Sequence, residues 1–323
     1  MPEEIDTPDL SYQPPVPEDP PNIALVGCGD ITDQHLSAYT EAGWDVVAFC
    51  DIDEEMARER RDEYYPGADV YTDAADVYAR EDVGVVDAAT HPNPREGLIE
   101  DALRAGKHVL SQKPFVLDLD AGERLVELAD EHGVKLAVNQ NGRWAPHWSF
   151  VRHAVSEGLV GDPIGVHLDA HWDHDWIVDE GFDEIRHAIL YDYAIHYFDL
   201  VACVMAERDP ERVYGSVARS PGQTATPPLL GQATIEYEGA QASLVFDGNV
   251  AHGTADRTYV GASEGTVRSE GPHLTDQAVS LYTDDGVVRP DLEGSWFPTG
   301  FQGTMGELLS AIEDDREPEN SGR

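Results

Sequence analysis

Short apolar runs alternate with helix-length amphipathic stretches through the first half of this chain, and nothing constrains its fold more. Ile23-Ala24-Leu25-Val26, Val46-Val47-Ala48-Phe49, Val85-Val86-Asp87-Ala88-Ala89, His108-Val109-Leu110 and Leu136-Ala137-Val138 read as buried strands. Between them, residues 33–42, 54–64, 95–104 and 118–131 read as helices, with Gly106 and Gly133 as natural C-terminal stops. Buried strands separated by single helices imply a parallel sheet covered on both faces. The expected fold class is therefore α/β, with an N-terminal doubly wound sheet.

The pattern changes after about Asn141. A helix over 147–156 leads through Gly158 and Gly161 to a strand over 164–172 and a helical run over 186–205. Strand-like segments follow at 213–218, 232–237, 242–246, 258–262, 266–270 and 278–282, then a last helix at 301–312. This reads as a C-terminal α/β domain with an open, largely antiparallel sheet backed by helices. Residues 1–21, rich in Pro, Asp and Glu, are expected to form a disordered arm. The expected division is an arm at 1–21, a first domain at 22–140 and a second at 141–323.

Charge narrows the partners. Lys+Arg is 21 against Asp+Glu of 63, a formal net charge of -42 spread along all 323 residues. Such a chain repels itself in dilute buffer, while molar salt shortens the screening length to about 3 Å. The composition reads as adaptation to a salt-saturated cytoplasm, hence a halophilic source. A basic stripe that could neutralise phosphates is missing, so no nucleic-acid partner is expected. No apolar run approaches the roughly 18 residues of a membrane span, and no basic flank precedes an apolar stretch at the N-terminus. The expectation is a cytoplasmic protein without a membrane partner. Three scattered cysteines, Cys28, Cys50 and Cys203, do not make a disulfide framework.

Four clusters carry chemistry. Gly27-Cys28-Gly29-Asp30-Ile31-Thr32 joins a strand to a helix, the place of a dinucleotide-binding turn. Gly27 permits the tight turn and Gly29 the close approach of a diphosphate, which the helix N-terminus stabilises. Thr32 takes the place of a third small residue. Asp51 ends the second strand, where a carboxylate accepts from a ribose 2′-hydroxyl and repels a 2′-phosphate, favouring NAD over NADP. An ordinary strand–turn–helix is the bland alternative.

Lys113, in Ser111-Gln112-Lys113-Pro114, stands just past a parallel strand, at the edge where such sheets bind ligands. An ammonium there can hold a substrate hydroxyl and stabilise developing negative charge; the alternative is a solvated lysine. A cis bond before Pro114 is suspected. Only Lys107, Lys113 and Lys135 occur in the whole chain. Asp192 and His196, four apart, share one face of the expected helix. Imidazole, with an ordinary pKa near 6.5, suits removal of a hydroxyl proton. A structural His–carboxylate pair and a metal site with His171, Asp173 and His174 are the alternatives, although no metal is expected. Finally, His171-Trp172-Asp173-His174-Asp175-Trp176 mixes aromatic and acidic groups in a way that suits a polyhydroxylated substrate or, equally, a sheet edge. Alternation would put Trp172 and His174 on one face.

Taken in order, these motifs resemble the glucose–fructose oxidoreductase / inositol dehydrogenase (Gfo/Idh/MocA) family from about Asn22 onward. The resemblance rests on Gly27-x-Gly29, Asp51, Ala105-Gly106-Lys107-His108-Val109, Lys113-Pro114 and Arg143-Trp144-x-Pro146. It continues through Gly158-x-x-Gly161, Asp192-x-x-x-His196 and the segment from Ala311 to Pro318. It implies a Rossmann domain and an NAD(H)-dependent dehydrogenase acting on a CH–OH group of a sugar, sugar acid or cyclitol. It implies that Lys113, Asp192 and His196 work at the nicotinamide. Cys28, Asp30, Ile31, Thr90, His91, Asn93 and Gln112 would line the cofactor, and Arg143, Trp172, His174 and Asp175 the substrate. A homo-dimer or homo-tetramer through the outer face of the open sheet is also implied. Gln112 replaces the family's Glu, His91 stands where Pro is usual, and Arg95 where His is common. Relatives usually continue past residue 323 into a further helix. Two other readings share these motifs: transient NAD oxidation serving an elimination or epimerisation, and an NAD-binding sensor without turnover.

The charge yields a first prediction. The melting temperature should rise by roughly 10 °C or more between 0.1 and 2 M KCl. Differential scanning fluorimetry across a salt series checks it, and a flat profile refutes the adaptation.

Overall fold

The computed structural model describes residues 3–178 and 181–323. Met1 and Pro2 of the expected arm, and Asp179 and Glu180 of the expected second domain, lie outside the described residues. The chain forms two compact units: residues 14–144 with 297–323, and residues 3–13 with 145–296.

In the first unit, β1 (Ile23–Val26), β2 (Val46–Cys50), β3 (Asp69–Tyr71), β4 (Val85–Ala88), β5 (His108–Ser111) and β6 (Leu136–Val138) form one parallel sheet of order β3-β2-β1-β4-β5-β6. The helices α1 (Thr32–Ala42), α2 (Glu54–Tyr64), α3 (Ala74–Tyr78), α4 (Pro92–Arg104) and α5 (Leu119–His132) connect them. Alternate strand residues feed two cores, as a sheet covered on both faces requires. Ile23, Leu25, Phe49 and Leu110 pack on one face, and Ala24, Val26, Val86 and Val109 pack with Ile99, Leu103 and Leu125 on the other. Part of the acid excess caps helices. Asp53, Asp73 and Asp118 accept the N–H groups of Glu55, Ala75 and Asp120 at 2.9–3.1 Å.

In the second unit, α6 (Pro146–Ser156) and α7 (Ile195–Val204) cover one face of an eight-stranded sheet. Its strands are β7 (Pro163–His171), β8 (Pro210–Ala218), β9 (Leu230–Tyr237), β10 (Ala240–Asp247), β11 (Ala255–Ala262), β12 (Gly265–His273), β13 (Asp276–Thr283) and β14 (Gly286–Val288). They run in the order β14-β13-β12-β11-β7-β10-β9-β8. Only the β7–β10 pair is parallel among these described strands, so the sheet is mixed but largely antiparallel, as expected. Val166, Leu168, Leu244, Phe246 and Val260 face Trp148, Tyr197 and Leu200 in the core. Ile164, Val245 and Tyr259 remain exposed on the other face.

Several expectations change. The last helix, α8 (Trp296–Glu313), bends at an extended Phe297, and the segment from there joins the first unit rather than the second. Phe301, Met305, Leu308 and Leu309 complete the core around Ile23 and Leu25. The tail continues that unit's backbone pairing, with Val138 N–H donating to Asn320 and Gly322 N–H to Leu136. The described part of the arm is packed, not disordered. Ile5 N–H donates to Val287 at 3.0 Å, Leu10 is buried, and the Tyr12 hydroxyl accepts Glu293 N–H. A proline-rich strap needs few backbone partners, and the side chains of Leu10 and Tyr12 anchor it on the core of the second unit. The short β3, α3 and β14 were not expected, being too brief for a periodic signal. The helical run expected over 186–205 is broken by a π-type turn at Ile189–Tyr193, where Ala194 N–H donates five residues back to Ile189.

Two buried ionisable groups in the second unit oppose each other. Burial pushes the Asp256 carboxyl up to about 7, against the hydrogen bond that the Tyr197 hydroxyl donates to it. Burial pulls the His147 imidazole down to about 3. The folded protein thus binds an extra proton at Asp256 between about pH 4 and 7, so that term of stability falls as pH rises. His147 refuses a proton that the unfolded chain accepts below about 6.5, so its term falls as pH drops. Between about pH 4.5 and 6.5 these two terms largely cancel in the wild type, leaving the smaller fall toward acid that His108, also pulled down by burial, contributes. Asp256→Asn should unmask a decline toward acid, and His147→Gln a decline toward neutral pH, each approaching about 1.4 kcal/mol per pH unit. Urea melts at fixed salt measure both; identical slopes in all three proteins would contradict the assignment.

Candidate active site

The carboxyl edge of the parallel sheet is built around Gly27. Its φ is +94°, and an added Cβ would lie 2.8 Å from Thr90 Cγ2 and 2.9 Å from the Ala89 carbonyl carbon. Only glycine lets the chain turn from β1 toward α1 this close to the end of β4. A Cβ on Gly29 would meet nothing within 4 Å. Asp51, just past β2, accepts Cys28 N–H at 2.8 Å and Asp53 N–H at 2.9 Å, which fixes its carboxylate behind the turn. Among the described residues, the N–H groups of Gly29, Asp30 and Ile31 donate to no protein acceptor, and α1 begins directly after them. Such a nest of donors at a helix N-terminus fits a diphosphate, and the residues present therefore suit a dinucleotide. Asp30 is exposed, Ile31 is partly exposed, and Arg60 reaches across to Asp33 and, at 3.4 Å, to the Cys28 carbonyl. Burial pushes the Cys28 thiol up to about 12 and the Cys50 thiol to about 11, so both act as packing groups.

Next along this edge, Thr90 follows β4 while His91 and Asn93 are exposed at the start of α4. Lys113 follows β5, and its bond to Pro114 is cis, as suspected. Arg95, only 1% exposed, lies beneath both loops. Its Nη1 donates to the Thr90 carbonyl at 2.9 Å and its Nη2 to the Pro114 carbonyl. Burial alone pulls this guanidinium down to about 10, so it stays charged at neutral pH. Gln112 is buried beside a set of groups that the sequence reading missed: His35, Tyr39, Asp87 and Asn139. The available signal was Asp87 itself, a carboxylate inside an otherwise apolar strand. Arg143 lies in a 3-10 turn (Asn141–Trp144) and donates to the Glu319 carbonyl within the same unit.

In the second unit the Asp192/His196 pair straddles the π-type turn and the start of α7, rather than lying on one regular helix. The His196 ring meets Trp296 edge-on at 5.4 Å. His174 Nε2 stands 3.8 Å from an Asp192 carboxylate oxygen. Trp172, Trp176 and Tyr193 surround the His174 ring, with centroids 5.0–5.1 Å away. β7 ends at His171, so strand alternation does not set Trp172 and His174, yet their rings do pack together. His174 is only 1% exposed and neither ring nitrogen has a hydrogen-bond partner among the described residues, so it packs beside Asp192 among aromatic rings and is not an open contact. Trp176, part of the expected cluster but not of the expected substrate contacts, is its half-exposed aromatic. Asp175 is a different case from the one expected. Its carboxylate accepts Thr224 and Ala225 N–H at 3.0–3.2 Å and so pins a loop.

Two models of one family match the chain. Residues 21–140 match GFO_IDH_MocA, "Oxidoreductase family, NAD-binding Rossmann fold", and residues 148–268 match the "GFO/IDH/MocA C-terminal domain". The chain belongs to the GFO/IDH/MocA family of oxidoreductases. The GFO/IDH/MocA chain is 27% identical to an inositol 2-dehydrogenase of Burkholderia multivorans over 81% of its own length and 79% of that protein. It is 36% identical to a D-apiose dehydrogenase of Paraburkholderia graminis, over only 44% of its own length and 38% of that enzyme's. An oxidoreductase from Agrobacterium radiobacter, solved with NAD+, L-tartaric acid and magnesium, shares the fold with a TM-score of 0.82. That likeness spans 94% of this chain and 92% of the other at 19% identity. The first unit of this GFO/IDH/MocA protein is thus an NAD-binding Rossmann domain.

The two glycines should separate folding from binding. Gly27→Ala should lower stability by about 1–3 kcal/mol, because the positive φ and the clash with Thr90 act before any ligand arrives. Gly29→Ala should melt like wild type yet bind NAD+ at least about tenfold more weakly. Thermal melts and isothermal titration with NAD+ test the pair; equal NAD+ affinity in Gly29→Ala and wild type would refute the diphosphate assignment.

Proposed function

We propose that this GFO/IDH/MocA protein transfers a hydride between NAD(H) and a hydroxyl-bearing carbon of a small polyhydroxylated molecule, a sugar, sugar acid or cyclitol. The observation that carries the reading is the glycine turn backed by Asp51 on a sheet that also presents Lys113 at its carboxyl edge. The names of its relatives, inositol 2-dehydrogenase and D-apiose dehydrogenase, support the substrate class. Bound NAD+ supplies the hydride acceptor. In the proposed reaction, His196 takes the hydroxyl proton, Lys113 holds the oxygen and stabilises its charge, and Asp192 orients His196 or a neighbouring hydroxyl. Thr90, His91, Asn93 and Gln112 would border the nicotinamide end. Arg143 and Trp172 would border the substrate, with Trp176 in place of Asp175. Asp51 favours NAD over NADP through its repulsion of a 2′-phosphate.

The same reading makes the protein a homo-dimer or homo-tetramer through the outer sheet face that carries Ile164, Val245 and Tyr259, working in a salt-rich cytoplasm.

An NAD+ reduction screen over aldoses, sugar acids and inositols in multimolar KCl tests the function. One class should give NADH in stoichiometric yield with substrate consumed. Lys113→Ala should cut kcat at least about 100-fold while NAD+ binding persists. Unchanged turnover in Lys113→Ala, or substrate conversion without NADH, counts against the proposal.

A further inference from the structure

Beneath the sheet edge lies a chain of buried polar groups that packing alone does not explain. Asp87, on β4, accepts from two groups of α1: His35 Nδ1 at 2.7 Å and the Tyr39 hydroxyl at 2.7 Å. The other ring nitrogen, His35 Nε2, faces the amide nitrogens of Gln112 at 3.1 Å and Asn139 at 3.2 Å. The Gln112 orientation follows from its far end. Gln112 Oε1 accepts Lys113 N–H at 2.7 Å, and Asn139 Oδ1 accepts the Thr304 hydroxyl at 2.8 Å. A flipped Gln112 would set two donors against each other at Lys113. Gln112 therefore donates to His35 Nε2, which accepts. The ring proton sits on Nδ1, directed at Asp87. Asp87, His35, Gln112 and Lys113 N–H thus form one line of fixed donor–acceptor sense.

That line ends on the backbone of Lys113, and Arg95 holds the next carbonyl, that of Pro114, from the other side. A lysine carries its charge on a flexible stem, so the backbone beneath it decides where the ammonium can dwell. Buried polar networks are retained at a cost in solvation that apolar residues of similar volume would avoid. We propose that His35 and Asp87 are positioning residues for Lys113, acting through Gln112. The functional consequence rests on the reading that Lys113 holds the substrate oxygen; the positional consequence does not.

The scarcity of lysine makes the test direct. Reductive methylation with 13C-formaldehyde keeps the charge and labels at most Lys107, Lys113 and Lys135 besides the terminal amine. The Lys113 methyl resonance is assigned by its loss in Lys113→Arg. In His35→Leu that resonance should move or broaden while those of Lys107 and Lys135 stay in place. His35→Asn, whose amide can donate to Asp87 and accept from Gln112, should restore it. Gln112→Met, which cuts the line next to Lys113, should act like His35→Leu and serves if that variant does not fold. With substrate, kcat should fall about 10–100-fold in His35→Leu while the Kd for NAD+ stays within about threefold. An unmoved Lys113 signal in a folded His35→Leu or Gln112→Met protein overturns the proposal. So does an equal movement of all the lysine signals, which marks general loosening. Full turnover in Lys113→Ala alongside a moved Lys113 signal would remove the functional reading and leave the positioning intact.

Discussion

There is no room for a methyl group at the first glycine after β1, and most of what the first unit does follows from that restriction. Because Gly27 lies against Ala89 and Thr90, the five residues 27–31 carry the chain from β1 into α1 at the sheet edge. Its N-terminus then points three unused N–H groups outward, while its next turns carry His35 and Tyr39 inward to Asp87. One steric constraint therefore serves two ends of the same helix: a polar mouth for an anion and a buried anchor beneath the lysine.

An acidic chain must keep its carboxylates in solvent or account for each one that it buries. Of the four buried acids among the described residues, Asp192 lies in the candidate site and the other three are handled in three ways. Asp87 accepts from a histidine and a tyrosine. Asp256 accepts from Tyr197 and drifts toward its protonated form. Glu307, on α8, pairs with Arg316 and accepts Glu319 N–H at 2.8 Å. Arg95 is the converse, a buried cation that spends its donors on two loop carbonyls instead of an acid. With only 21 basic residues in 323, such a placement implies that these two loops need holding more than the surface needs another charge.

Much of this was legible in the amino-acid order, for physical reasons. Strands buried on both faces must be continuous apolar runs, so β1, β2, β4, β5 and β6 stood out, and the glycine turn and Asp51 followed from their position. What stayed hidden was of three kinds. Pieces too short to show a period, such as β3 and α3, carry no pattern. Groups defined by partners far along the chain, such as His35 with Gln112 and Asn139, look like ordinary helix residues until the fold assembles them. And a carboxylate in a polar cluster does not announce what it binds: Asp175 reads like a ligand contact but is consumed by two backbone N–H groups. The π-type turn escaped because its sequence keeps the apolar spacing of an α-helix on either side.

The first unit is assembled from two stretches of chain that the whole of the second unit separates. During synthesis its sheet emerges early and α1 covers part of the face around Ile23, Leu25 and Phe49, but the patch that Phe301, Met305, Leu308 and Leu309 fill stays open until α8 arrives. At ordinary elongation rates that delay is on the order of ten seconds or more. A nascent protein in this state presents an uncovered greasy surface to its neighbours on the ribosome. Its dependence on chaperones should therefore be concentrated in that interval, and a stalled ribosome between the two stretches would release a fragment prone to aggregate.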